Sequence, residues 1–225
     1  MTARRDLRSD AGQAFPIYIT AVAGLLFLAL ALFAVGQAGA TRNGGQTAAD
    51  AAALAAAQDY RDQLRKGFLE AIANGSAWDD LLDGRGLGST NACDQAQWFA
   101  DQNGADVTDC SGPDFLPTSF TVTVKTHKPV GKTVIPGTES QYGEATAKAV
   151  VTPRCTDKSP DDGGKDDDGG GGKDDGKGGD GGKDDGKDDK PPIDLLCDGI
   201  DLTIDPTRLD LFPDAKDLFS VHLAD

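Results

Sequence analysis

Histidine, methionine and aromatic side chains are scarce, with 2 His, 1 Met and 6% aromatics in 225 residues. His127 and His222 are the only imidazoles, and both fall at outward-facing positions of predicted strands. No G-x-S-x-G nucleophile elbow accompanies them, so the many acids do not assemble into a recognisable hydrolytic triad. Cys-x-x-Cys pairs are missing too, which removes support for a zinc ribbon or a thioredoxin-type site. A phosphate-cradling loop needs a strand before its glycines, and the glycine-rich part of this chain follows none. Basic residues are also in deficit, with 22 Lys and Arg against 37 Asp and Glu and a formal charge of −15. Nucleic-acid binding depends on Lys and Arg displacing counterions, so this balance argues against nucleic acid as a partner. Neither an enzyme nor a cofactor or metal site is expected.

Two longer absences organise the chain. No charge occurs between Gln13 and Gly39, and Ala14 to Gly36 is 23 residues of almost unbroken hydrophobicity. At about 1.5 Å per residue this run spans a hydrocarbon layer of roughly 30 Å. Arg4, Arg5 and Arg8 precede it against Asp6 and Asp10, and the next charge is Arg42. Arginines on that side place the N-terminus in the cytoplasm and the chain after Thr41 outside, as a single-pass protein in contact with membrane lipid. Ala38-Gly39-Ala40 fits the small-x-small rule for signal peptidase, although the apolar run exceeds the roughly 7–15 residues of a signal h-region. Gly12 before Gln13-Ala14-Phe15 resembles a prepilin peptidase site, with Tyr18 where Flp-type pilins place Tyr or Phe and Ile17 where they place Glu. Three N-termini follow from these readings: intact, cut between Gly12 and Gln13, or cut after Ala40.

The second absence is of apolar side chains, from Asp157 to Lys190. That tract holds 13 Asp, 7 Lys and 12 Gly, and 7 − 13 = −6 of the formal charge. Low hydrophobicity with high charge cannot offset chain entropy, which predicts a disordered acidic tract over 157–192. Gly-Gly-Lys-Asp-Asp recurs at Gly163, Gly171 and Gly181. An EF-hand loop needs alternating ligands and a terminal Glu, neither of which is present, so weak nonspecific cation binding is the most this tract supports. Setting both segments aside leaves about 110 residues, enough for one small domain.

That domain begins with a helix. Thr47 to Ile72 is Ala-rich and opens with a capping-box pattern, Thr47-Ala48-Ala49-Asp50. Leu54, Ala57, Leu64, Phe68, Ala71 and Ile72 recur at three- and four-residue spacing, and Asn74-Gly75 is a stop signal. Gly44-Gly45 leaves open whether this helix continues the membrane helix or hinges from it. The run Gln46-Thr47-Ala48-Ala49-Asp50-Ala51-Ala52-Ala53-Leu54-Ala55, placed just after a hydrophobic span, resembles the N-terminal domain of TadE/TadG-like Flp pilus-assembly proteins. Gln46, Ala48, Ala49, Asp50, Ala51, Ala52 and Leu54 carry the resemblance, which covers about residues 11–57. A weaker one, in the run from Trp98 to Cys110, extends it. The resemblance implies a non-catalytic, membrane-anchored component of a Tad/Flp pilus-assembly system, minor pilin-like or TadG-like, with other Tad membrane proteins as partners. The alternative is an anchored or secreted surface-binding domain unrelated to pilus assembly.

Beyond Gly75, short helices are predicted over Ser76–Leu82 and Ala92–Gln102. Strands follow, because Phe120, Val122 and Val124 alternate with polar residues, as do Ala145, Ala147, Ala149 and Val151. Val130–Ile135 reads as an edge strand, and Ile200–Ile204 and Phe219–Leu223 alternate again. Four cysteines, Cys93, Cys110, Cys155 and Cys197, all lie on the outer side, which favours two disulfides. Three pairings are possible; Cys93 with Cys110, leaving Cys155 with Cys197 to bracket the acidic tract, is preferred. The expected class is α+β: a transmembrane helix continuing into or hinged to an Ala-rich helix packed on a small antiparallel sheet, as in pilins. Its segments are a basic leader at 1–12, the membrane helix at 13–40, an extracytoplasmic domain at 41–156, the acidic tract, and a β segment at 193–225 that packs back.

Overall fold

Helix α1 runs without interruption from Ala14–Asn74, 61 residues and about 90 Å at 1.5 Å per residue. The structure, a computed structural model, describes residues 14–87, 91–158 and 191–224. The hinge considered at Gly44-Gly45 is therefore not used. Nor does Thr47 cap a helix start, since its Oγ1 donates to the Asn43 carbonyl one turn earlier, at 3.0 Å. The capping signal is overridden because the helix is already running and the amides that a cap would satisfy have carbonyl partners. The stop at Asn74 does act. Gly75 takes φ +68°, its N–H bonds Ile72 O at 3.2 Å, and Ser76 N–H bonds Ala71 O at 2.8 Å, the paired closure of a Schellman motif. That cap takes Ser76 out of the next helix, so α2 is only Asp79–Leu82.

The remaining elements are α3 (Ala92–Gln102), β1 (Ala105–Asp114), β2 (Thr118–Pro129), β3 (Tyr142–Pro153), β4 (Cys155–Asp157), β5 (Ile193–Cys197), β6 (Ile200–Ile204), α4 (Ala215–Leu218) and β7 (Phe219–Leu223). The class is α+β, with antiparallel pairing. One four-stranded sheet has the order β1-β2-β3-β7, and a second, three-stranded sheet has the order β4-β5-β6. A single small sheet was the expectation. The second sheet exists because β5 pairs with both β4 and β6, with Leu195 opposite Asp157 and Leu202. Val130–Ile135 forms no strand. Val130 N–H bonds Gln141 O at 2.7 Å and the chain turns there, Thr133 Oγ1 accepting from Ile135 N–H at 3.0 Å within the loop.

Two compact units divide the chain. The first contains residues up to Ala53, with Ala96–Cys110 and Thr121–Ala147. Within it α1 lies close against two strands. A Cβ placed on Gly45 would sit 3.5 Å from Thr126 Cγ2 and 3.7 Å from the Ala145 Cβ, ordinary contact. A Cβ on Gly143 would stand 2.8 Å from the Thr41 carbonyl oxygen and 3.1 Å from Thr126 Cγ2. Thr126 Oγ1 accepts from Gly143 N–H at 2.9 Å and donates to Lys128 O at 2.9 Å, so the hydroxyl is satisfied in the packed layer. Two glycines in a helix cost about 1 kcal/mol each relative to Ala. An added methyl would make ordinary contact at Gly45 and would meet nothing within 4 Å at Gly44, so the packing seen here requires neither glycine.

The second unit contains Leu54–Gln95, Ser111–Phe120 and Lys148–Asp225. Its core is Tyr60, Leu64, Phe68, Phe120, Leu195, Leu218 and Phe219, all fully buried. Tyr60 and Phe120 lie with ring centroids 5.3 Å apart and planes tilted by 57°, and Phe68 meets Trp78 and Phe212 edge-on at 5.4 and 5.5 Å. Arg65 lies 5.3 Å over the Phe212 ring and donates through Nε to Pro213 O at 2.7 Å. Cys155 and Cys197 face each other in the β4–β5 register and are joined by a disulfide. Closing a separation of 42 residues constrains the unfolded chain by about 4 kcal/mol in the chain-entropy account. Beside it Arg154 donates to Lys216 O at 2.8 Å and to Asp198 Oδ2 at 2.7 Å, tying the strand junction to α4.

Burial pushes the Tyr60 phenol up to about 12, and its hydroxyl donates to Gly84 O at 3.3 Å, a carbonyl that also accepts from Thr118 Oγ1 at 2.9 Å. The fold favours neutral Tyr60, so its contribution is complete below the unfolded value near 10 and is lost as pH rises towards 12. Thermal unfolding of the full chain in detergent should therefore show stability falling across that interval, and Tyr60→Phe should flatten the fall while costing about 1 kcal/mol at neutral pH. In the same assay Gly143→Ala should destabilise by about 1–3 kcal/mol through overpacking, whereas Gly44→Ala should stabilise by up to about 1 kcal/mol.

Candidate functional site

The large side chains of the first part of α1 have no protein packed on them among the described residues. Phe15, Leu25, Phe27, Leu32 and Val35 are each between 64% and 72% exposed, and Ile17, Tyr18, Leu26, Leu28 and Phe33 are exposed as well. These residues point in every direction around the helix, so no single face is the contact stripe of a soluble domain. The segment is long and apolar enough to cross a membrane by length and composition.

Burial on α1 then becomes one-sided. In the first unit the covered positions are Ala34, Gly45, Ala48, Ala49, Ala52 and Ala53, with Gln37 and Thr41 partly covered between them. Of the motif residues, Ala48, Ala49 and Ala52 are fully buried, Asp50, Ala51 and Leu54 half-buried, and Gln46 exposed. Gln46 Nε2 donates to Asp50 Oδ1 at 2.8 Å along the solvent side. The motif is thus a packing surface. Small side chains bring the helix backbone near its neighbours, and Gln46 with Asp50 closes the open face by an i, i+4 pair. Its one ionisable side chain, Asp50, is engaged by Gln46, and the motif presents no nucleophile or ligand set.

Elsewhere the chemistry is sparse. His127 Nε2 lies 3.3 Å from Asp106 Oδ1 and 3.5 Å from Asp101 Oδ1, beside the Gly104 turn. Among the described residues this is the one trio whose ligand atoms converge well enough to hold a metal, and all three are exposed. Sequence spacing could not find it, because the Asn103-Gly104 turn and β2 bring the three together. His222 sits on β7 opposite Val150. Cys93 and Cys110 are both disulfide-bonded, as are Cys155 and Cys197, and no cysteine is free. Gly12 and Gln13, the proposed prepilin junction, and most of the acidic tract lie outside the described residues. A cleft between α1 and the α4 segment of the second unit, lined by Arg61, Arg65, Lys66, Asp62, Asp214 and Lys216, is open and of mixed charge.

Residues 12–59 match the model of a family described as "Putative Flp pilus-assembly TadE/G-like". The match covers the exposed apolar segment and the whole Ala-rich motif, and agrees with the family and location of the resemblance described above. No curated protein and no solved structure matches the chain.

If the motif works by packing, its buried and exposed positions should respond oppositely. Ala52→Leu should destabilise the chain by about 1–3 kcal/mol, and Gln46→Ala, which loses one exposed hydrogen bond, should change stability by no more than about 0.5 kcal/mol in the same denaturation assay.

Proposed function

We propose that this protein is a membrane-anchored, non-catalytic component of a Tad/Flp-type pilus-assembly system, acting as a minor pilin-like or TadG-like subunit. The observation that carries the reading is the coincidence of the family match with one unbroken helix, residues 12–59 spanning both its exposed apolar part and the packed motif. In this reading α1 is inserted in lipid over about Ala14–Gly36, and the arginines before it hold the N-terminus in the cytoplasm. Everything beyond Thr41 is extracytoplasmic, where the disulfide between Cys155 and Cys197 is stable. Ala21, Gly24, Ala29 and Ala31 in the apolar segment allow close approach of other helices in the bilayer. The mechanism is mechanical. The inserted helix packs among membrane or pilus helices.

The test is photocrosslinking in native membranes from a probe at Leu28, which is 57% exposed in the apolar segment. Adducts with other Tad membrane proteins are expected. Adducts with lipid alone, or with proteins outside that system, would overturn the assignment.

A further inference from the structure

The β2 end of the first unit and the start of the loop after it are rich in lysine in an acidic protein, with Glu139 later in the same loop and Asp101 and Asp106 against His127. Between Asp114 and Glu139 the chain has three lysines, one histidine and no acid, against a formal charge of −15 for the whole. Strand β2 carries that stretch back along α1. Thr126 packs at Gly45, while Lys128, Pro129 and Val130 share a cavity with Gln37 and Ala40, closer to the apolar end. The loop between β2 and β3 continues beyond Val130 and returns through Gln141, so it emerges on the Gln37 side of the unit.

The covered stripe on α1 gives the depth. Ala34 is 3% exposed although Leu32, Phe33 and Val35 around it are open, and Gln37 Oε1 is enclosed without a hydrogen-bond partner. Ala34 belongs to the apolar run, which ends at Gly36. Folded protein therefore reaches the outer end of the membrane segment. The next helical turn, Gln37 to Thr41, rises about 6 Å, comparable to the headgroup layer on one side of a bilayer.

The loop has the composition of an interfacial contact. Val134 and Ile135 are 45% and 48% exposed, and Lys128 and Lys132 precede them in sequence, both exposed. Lys125 has Glu144 and the Tyr142 ring as partners, and His127 has Asp101 and Asp106. Among the described residues neither Lys128 nor Lys132 forms an ion pair. Arg42, the first charge beyond the apolar run, is exposed and likewise forms none among the described residues. Unpaired cations beside an exposed apolar pair at headgroup depth fit a surface of phosphate groups over acyl chains.

We infer that the β2–β3 loop, through Lys128, Lys132, Val134 and Ile135, docks on anionic phospholipid headgroups of the bilayer that holds α1. The inference rests on the reading of α1 as a membrane helix. The contact would fix the tilt of the unit on the membrane surface, with lysines on phosphates and the apolar pair below them.

Hydrogen exchange on the full chain in lipid nanodiscs tests it, comparing phosphatidylcholine alone with phosphatidylcholine containing phosphatidylglycerol. Amides of the loop from Gly131 to Ser140 should exchange more slowly in the anionic discs, by about fivefold for each lysine engaged. The difference should vanish in high salt and in Lys128→Glu/Lys132→Glu, while β7 keeps its protection. Equal loop exchange in both lipids, with Phe15 to Val35 protected, would overturn the docking contact and leave the membrane helix standing. Free exchange over Phe15 to Val35 would overturn both.

Discussion

At Gly143 the strand backbone comes so near the helix that a Cβ would stand 2.8 Å from the Thr41 carbonyl oxygen. That approach is the constraint on which the first unit is built. It requires a residue without a side chain on β3, a small face on α1, and a helix that stays regular through Gly44 and Gly45. Thr126 makes the layer chemically complete, because its hydroxyl both accepts from Gly143 and donates to Lys128. A side chain at Gly143 would push the helix away and open this layer, whereas a methyl at Gly45 would make ordinary contact and one at Gly44 would meet nothing. The helix break that two adjacent glycines would permit in isolation does not occur, since α1 runs through both.

The same helix meets two different surroundings. Over its first third, large apolar side chains project all round and find no protein partner among the described residues. From Ala34 onward one stripe is covered by small residues, and from Tyr60 the covered residues are large. This graded size along one helix explains the Ala-rich motif physically. Alanines sit where backbones must come close, whereas Tyr60, Leu64 and Phe68 sit where a wider core has to be filled.

The C-terminal segment is held by different means. The disulfide between Cys155 and Cys197 and the Arg154 bonds to Asp198 and Lys216 join β4, β5 and α4 into a small body with modest apolar content. Leu195, Leu218 and Phe219 are its fully buried large side chains. A covalent crosslink compensates where so short a segment cannot bury enough area by itself.

What was legible in sequence was what depends on neighbours a few residues apart. The charge-free run, the three- and four-residue spacing from Leu54 to Ile72, the Asn74-Gly75 stop, the helix at Ala92–Gln102 and the alternation in β2, β3, β6 and β7 all belong to that class. The motif from Gln46 to Leu54 was likewise readable. Local signals misled where a distant contact outweighed them. Thr47 sits inside a helix that had already begun, Gly44-Gly45 does not bend, and Val130–Ile135 turns because its ladder ends at Gln141. Short β4 and β5 have too little pattern to announce themselves, and they form because the register sets Cys155 against Cys197. By itself, then, the sequence determined the apolar span, the small face of the helix and the period of each longer element. Only the tertiary structure decided that the helix is unbroken, that two sheets form, that His127 meets Asp101 and Asp106, and that the covered face reaches down to Ala34. Those outcomes depend on residues far apart in the chain, whose proximity no local periodicity encodes.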